Sequence, residues 1–247
     1  AGFAASTYLR GLKFGFVPTS LLAQADASIG GKNGVNFMGY KNLVGTFNQP
    51  EFVLCDFSLL SSLPQAEVRN GYAEVIKVAA IADANLLDYL GKNVEKALAL
   101  DKDFLEEAIH RSGGIKARIV SEDEKEAGGR RVLNFGHTIG HAMEKVRGLR
   151  HGEAISVGMV AAAKLSEKEG MLKRGETEKL VRILSAFGLP VSAKANPKMI
   201  MDASTKDKKR EGDKINFVLL SGLGKGISTE IKVSELEGAV NDMCMHS

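Results

Sequence analysis

The stretch RRVLNFGHTIGHAMEKVRGLRHGE, Arg130–Glu153, carries a helical pattern over Arg131–Arg147 and holds three of the five histidines in the chain. His137 and His141 stand four residues apart, so on a helix they project from one face. Gly136 and Gly140 keep such a helix slim enough for a ligand or a neighbouring backbone to approach. His151 follows a short turn, with Glu153 beside it. Two imidazoles on one face, a third beyond the turn and a carboxylate are the makings of a metal site. A polar helix face with ordinary histidines is the alternative. Arg130, Asn134, His137 and His141 recur at intervals of four, three and four. A continuous helix would align a guanidinium, an amide and two imidazoles on one stripe, along which a polyanion could bind.

On both sides of this stretch, helical periodicity runs from about Pro64 onward. It predicts helices at Gln65–Asp83, Ala84–Leu90, Asp103–Ser121, Gly152–Glu169 and Gly175–Phe187, separated by Gly, Asn and charged turns. One β-hairpin, Lys214–Leu220 with Gly226–Val233, interrupts the pattern, and a last helix spans Glu235–Met243. Before Pro64 the character differs. A helix over Gly2–Leu9 ends at Gly11, and KFGFV (Lys13–Val17) reads as a strand stopped by Pro18. Asp26–Asn42 is a glycine-rich loop, and EFVLCD (Glu51–Asp56) reads as a parallel strand buried on both faces. The fold class is an α/β remnant followed by a mainly α-helical domain with one β-hairpin, divided as 1–63 and 64–247.

The chain of 247 residues is 44% hydrophobic and 26% charged, with no Trp and a formal charge of +3. Its length suffices for a substantial core. That charge is too small to argue for nucleic acid, and no basic run is interleaved with aromatics. No apolar run approaches ~18 residues, so no membrane span is expected. Cys55 and Cys244 are too few and too distant for a disulfide framework, which favours a reducing, cytoplasmic setting. AGFAASTYLRG, from Ala1, reads as the body of a helix without an N-cap and not as a signal peptide, so further sequence is expected upstream.

Other groups can do chemistry. The loop Asp26–Lys41 combines glycine-freed amides with Lys32 and Lys41 and could hold phosphate, or be a turn with solvated lysines. Glu74 and Lys77 share a face of an apolar helix. An ion pair is the ordinary explanation, but buried charges need partners, and Glu74 could supply a carboxylate to an open His/His/Glu metal site. Lys116 follows a glycine pair and could join from the preceding helix. Glu144 and Glu153 could hydrogen-bond the histidines from behind, or be solvated.

At these residues the chain resembles the 3-dehydroquinate synthase family of sugar-phosphate cyclases. The resemblance rests on PTSLLAQADASIGGKNGVN (Pro18–Asn36), GYKNLVGTFNQP (Gly39–Pro50), GYAEVIK (Gly71–Lys77), RSGGIKARIV (Arg111–Val120), GGRRVLNFGHTIGHA (Gly128–Ala142) and HGEAISVGM (His151–Met159), in that order. It covers residues 1 to about 170, with a weaker match beyond. The family pattern implies an N-terminal α/β domain that binds NAD and a helical domain that binds substrate and a divalent metal, zinc or alternatively cobalt. The implied reaction converts 3-deoxy-arabino-heptulosonate 7-phosphate, a small phosphorylated sugar acid, to 3-dehydroquinate. NAD transiently oxidises the C5 hydroxyl, phosphate is eliminated, the ketone is reduced again, and an intramolecular aldol closes the carbocycle.

Carried onto this chain, the resemblance makes Glu74, His137 and His151 the metal ligands. It turns His141, a ligand candidate by spacing, into an acid/base near the substrate. Asp26 and Lys77 position the reacting hydroxyls. Lys116, Arg130 and Asn134 take the carboxylate, and Lys32, Asn42 and His141 face the phosphate, with Lys208 as a further contact. Thr19, Ser20, Lys32, Lys41 and the segment Leu59, Leu60, Ser61, Ser62 touch NAD. Arg10 reaches into the partner's site of a homodimer. The family's glycine-rich dinucleotide turn does not occur in this chain, so the 247 residues alone are expected to be inactive, and the turn between His141 and His151 is short for the family. A sister cyclase, a glycerol-dehydrogenase-like enzyme or a non-catalytic metal-binding module are the rival readings.

Overall fold

The computed structural model describes residues 1–38, 40–206 and 213–245. Its N-terminal part opens with α1 (Gly2–Thr7), which tightens into a 3-10 turn over Tyr8–Arg10 and stops at Gly11, φ 114. The two expected strands meet as a short parallel ribbon and not as a full sheet. Phe16 pairs with Val53 in a single parallel bridge, with the Phe16 amide donating to Phe52 and the Leu54 amide donating back to Phe16. Instead of being buried on both faces, the ribbon leaves Phe52 and Leu54 each 58% exposed. A turn of π-helix, Ala23–Ala27, follows the first extended segment.

The glycine-rich region is only partly a loop. It forms a second hairpin that the sequence pattern does not announce, β1 (Lys32–Phe37) against β2 (Tyr40–Phe47), in antiparallel register from Lys32↔Phe47 to Phe37↔Tyr40. Gly45 is required here, since a Cβ on it would lie 2.7 Å from the carbonyl oxygen of Asn33 across the ladder. Asp56 then caps a 3-10 turn over Phe57–Ser62.

The helical part contains α2 (Gln65–Ala82), α3 (Ala84–Lys92), α4 (Val94–Leu98), α5 (Lys102–Glu122), α6 (His137–Arg147), α7 (His151–Lys168), α8 (Arg174–Ala186) and α9 (Pro197–Lys206). The hairpin β3 (Lys214–Leu220)–β4 (Gly226–Lys232) and α10 (Val233–Met245) complete it. Short α4 and α9 have no counterpart in the sequence reading. Asp83 and Asp101 start α3 and α5 by accepting from the amides of Leu86 and Phe104, each at 2.9 Å. At the centre lie α2 and α7, both buried on nearly all faces, as their unbroken apolar and small-residue composition dictates. The β3–β4 hairpin closes over them, with the Leu220 amide on Ser166 Oγ at 2.9 Å and the Gly224 amide on the Ala80 carbonyl at 2.8 Å.

One correction bears directly on the site. Arg131–Arg147 is not one helix. Gly129–Asn134 forms a 3-10 turn, and α6 begins only at His137 after Gly136 in the left-handed region, φ 76. Arg130 and Asn134 therefore do not share a helical stripe with His137 and His141. Tertiary packing causes the break: a Cβ on Gly136 would lie 2.7 Å from the backbone nitrogen of Met159, and one on Gly158 would lie 2.0 Å from the Gly136 carbonyl oxygen. The α6 entry is thus pressed directly onto the backbone of α7.

Candidate metal and anion site

Glu74 sits midway along α2 with its side chain 1% exposed. Two imidazoles converge on its Oε1: His151 Nε2 at 3.1 Å and His137 Nε2 at 3.6 Å. His137 is the first residue of α6, and its Nδ1 lies 3.1 Å from the Phe135 carbonyl oxygen. That contact places the proton on Nδ1 and leaves the Nε2 lone pair facing Glu74. His151 is the first residue of α7. Its position is set from α2, where Asn70 Oδ1 accepts from the Gly152 amide. Glu74, His137 and His151 offer three ligand atoms within 4.8 Å of one another, a donor set suited to zinc with an open position.

His141 lies one turn along α6, exposed, with its ring 5.2 Å from His137 and 6.0 Å from His151. It also groups with Glu144 and His151 within the same ligand span. The trio on Glu74 is the better cation site because its carboxylate is buried, and a buried carboxylate gains most from a cation. Behind His151, Glu144 Oε2 stands 3.6 Å from Nδ1. Glu153 turns away to the α7 start, where it accepts from the Arg150 amide at 3.0 Å.

The charges are arranged as a chain. Lys77 Nζ lies 2.5 Å from Glu74 Oε2 and 3.7 Å from Asp26 Oδ1, and Lys116 Nζ reaches Asp26 Oδ1 at 2.7 Å and the Asp26 carbonyl at 2.5 Å. Burial alone would raise Glu74; Lys77 and the two histidines outweigh it and hold the carboxyl well below its ordinary range. Burial and the nearby Lys77 push His137 down to about 3, so it is neutral. Burial acts against a charged His151 too, but contacts with Glu144 and Glu74 overcome it and push the ring up to about 9. Burial lowers Lys116, with Asp26 opposing.

On the other side, Arg130 is 2% exposed and already engaged. Its guanidinium donates to the Gly30 carbonyl at 2.8 Å and the Glu124 carbonyl at 2.5 Å, and lies 6.0 Å from the Phe47 ring centroid. Asn134 donates to Glu126 Oε1 at 2.5 Å, and Lys32 pairs with the other oxygen of Glu126. Sequence reasoning missed Glu126, which lies on a turn without periodicity, and Asn70, which one helical turn before Glu74 reads as an ordinary polar residue. Asn42, exposed and left-handed at φ 51, sits on β2 with its amide donating to Asn36.

Thr19 and Ser20 follow the first extended segment, and Leu59–Ser62 follow the second. Gln24 ties these two ends together by donating to the Pro18 and Asp56 carbonyls at 3.1 and 2.9 Å. Both segments therefore lie at the carboxyl end of the parallel ribbon, where open α/β sheets bind ligands. Leu60 is fully buried in the core, while Ser61 and Ser62 are exposed. Arg10 is exposed at the end of the first 3-10 turn, left-handed at φ 68. The backbone of Lys41 lies in β2; Lys208 is outside the described residues.

Two solved structures of metal-bound cyclases share this fold. The 2-epi-5-epi-valiolone synthase of Streptomyces hygroscopicus subsp. jinggangensis, with NAD+ and Zn2+ bound, superposes with a TM-score of 0.91 at 27% identity, over 100% of this chain and 70% of that one. A 2-deoxy-scyllo-inosose synthase complexed with carbaglucose-6-phosphate, NAD+ and Co2+ gives 0.89 at 30% identity, over 98% and 70%. The 3-dehydroquinate synthase N-terminal family profile matches residues 1–70, and the C-terminal one residues 71–210. The chain belongs to the 3-dehydroquinate synthase family. The 3-dehydroquinate synthase of Citrifermentans bemidjiense is 43% identical over 228 residues, 91% of this chain and 63% of that protein. The chain thus spans somewhat less than two thirds of that relative's length.

Proposed function

We propose that the protein carries out its family's reaction, the NAD- and metal-dependent conversion of 3-deoxy-arabino-heptulosonate 7-phosphate to 3-dehydroquinate and phosphate. The observation that carries this reading is Glu74, buried between two imidazoles and joined through Lys77 and Asp26 to Lys116. A buried carboxylate held ionised beside a neutral imidazole is a cation site, and adjacent lysines suit an oxygen-rich, anionic substrate.

Glu74, His137 and His151 would hold zinc, or cobalt in its place, and the ion supplies Lewis acidity toward the substrate's hydroxyls. NAD supplies the reversible hydride acceptor; Thr19, Ser20, Lys32, Lys41 and the exposed part of Leu59–Ser62 line its side. The roles of this chain's own residues follow from their surroundings. Asp26 and Lys77 orient the reacting hydroxyls, and Lys77 keeps Glu74 ionised. His141, exposed beside the ligand histidines, holds or releases a proton at the phosphate end of the substrate. Lys116, Arg130 and Asn134 receive the carboxylate; Lys32, Asn42 and Lys208 receive the phosphate. Residues 1–63 serve the cofactor and residues 64–247 the metal and substrate. The enzyme acts in the cytoplasm, with Cys55 and Cys244 as free thiols, and as a homodimer in which Arg10 reaches the partner's site.

A sister cyclase is the second reading, supported by the close superposition with the valiolone and inosose synthases. Identities of 27% and 30% to those proteins, against 43% to the named relative, favour the first. The deciding assay is phosphate release from the heptulosonate phosphate by the full-length gene product. Release should need NAD, stop with a chelator and leave no net NADH. Accumulating NADH, or activity only on a substrate without a carboxylate, would overturn the proposal.

A further inference from the structure

Glu126 stands on the turn between α5 and the Gly129–Asn134 segment. Its backbone is left-handed, φ 59, a strained conformation for a residue with a Cβ. Asp123 holds that turn in place. Its carboxylate accepts from the amides of Ala127, Gly128 and Arg130 at 2.9, 2.7 and 3.0 Å. The result is to deliver the Glu126 carboxylate, its side chain 19% exposed, between Lys32 and Asn134.

Lys32 and Asn134 are donors assigned above to the anionic ends of the substrate. A carboxylate side chain only accepts, as do a substrate carboxylate and a phosphate, so all compete for the same donors. A second anion cannot join Glu126 on these donors without like-charge repulsion at close range. We propose that Glu126 is a built-in anion that holds one donor from each end of the substrate, Lys32 of the phosphate end and Asn134 of the carboxylate end, while the site is empty and must release them when an anionic substrate binds. The residue thereby sets how tightly the substrate's anionic groups are held. The inference rests on reading Lys32 and Asn134 as substrate contacts.

Calorimetric titration with inorganic phosphate tests it on the wild type, Glu126→Gln, Lys32→Ala and the double variant, with zinc binding as the check that each is folded. Glu126→Gln should bind phosphate about two- to fivefold tighter, the range expected for a partly exposed ion pair. In the Lys32→Ala background the same substitution should bring no gain. Unchanged or weaker binding by Glu126→Gln would overturn the proposal and make Glu126 a residue that positions its donors for the ligand. If Lys32→Ala binds phosphate as the wild type does, the assignment of Lys32 to the substrate fails, and the proposal with it.

Discussion

Glu74 and His151 are seventy-seven residues apart in the chain, yet Oε1 of the one lies 3.1 Å from Nε2 of the other. The contact depends on α7 beginning at His151 and abutting α2 one turn before Glu74. The local sequence supplies the imidazole; the packing of two buried helices supplies its address.

Gly152 is the point at which that packing can be disturbed. A Cβ there would lie 2.2 Å from the backbone oxygen of Asn70, so Gly152→Ala must push the start of α7 away from α2 and carry His151 with it. Zinc affinity, measured by competition with a chromophoric chelator, should fall about 10- to 100-fold, the range for residues that orient ligands. Asn70→Ala removes the acceptor for the Gly152 amide and should act in the same direction. Wild-type affinity in Gly152→Ala would show that the α2–α7 junction does not set the site.

Proton linkage gives a second expectation. Against the opposing effect of burial, Glu144 and Glu74 keep His151 protonated up to about pH 9, whereas His137 is neutral above about pH 3 through burial and Lys77. A metal needs a lone pair on both rings. Near pH 7 each ion bound should therefore release one proton, from His151, and affinity should rise about tenfold per pH unit until near pH 9. Because its pKa lies above the ordinary 6.5, His151 contributes stability to the metal-free protein that is complete below that value and lost as pH rises through about 9. A pH-independent affinity, or release of two protons at pH 7, would contradict this.

Lys77, 2% exposed, is the cation on which the buried Glu74 carboxylate leans, with the half-buried Asp26 on its other side. Lys77→Met fits the apolar surroundings but strands Glu74, and should cost about 3–5 kcal/mol in urea unfolding at neutral pH, the range for a broken buried pair. Zinc should restore part of the loss, since the ion supplies the missing positive charge. The sign with pH follows from Glu74. Burial would raise its carboxyl, yet Lys77 and the histidines depress it, so its contribution is present above the ordinary carboxylate value and disappears as pH falls through the depressed one. Lys77→Met should therefore weaken the acid dependence of stability. A loss below 1 kcal/mol with no response to zinc would make the pair incidental.

The long helices were legible because burial leaves a 3.6-residue signature, although Asp83 and Asp101, which cap α3 and α5, were not read as their starts. The break at Gly136 was not, because RRVLN keeps helical spacing while the cause is the backbone of α7 against Gly136 and Gly158. The β1–β2 hairpin escaped because its residues are largely exposed and so lack apolar alternation. Spacing placed both His137 and His141 in one ligand set. The residue types alone allowed Glu74 to join two histidines, but the choice of His137 and His151, a matter of tertiary packing, came from the family resemblance. Arg130 was legible as a cation, but not as the clasp that ties Gly30 to Glu124, since both partners are carbonyl oxygens.

We propose that two histidines on one face of α6 divide the work, with His137 on the metal and His141 on the substrate. Zinc content after exhaustive dialysis against metal-free buffer, measured on the wild type, His137→Ala and His141→Ala, tests it most directly. One ion per chain is expected in the wild type and in His141→Ala, and none in His137→Ala. Equal loss in both variants, or retention by His137→Ala with loss in His141→Ala, would contradict it.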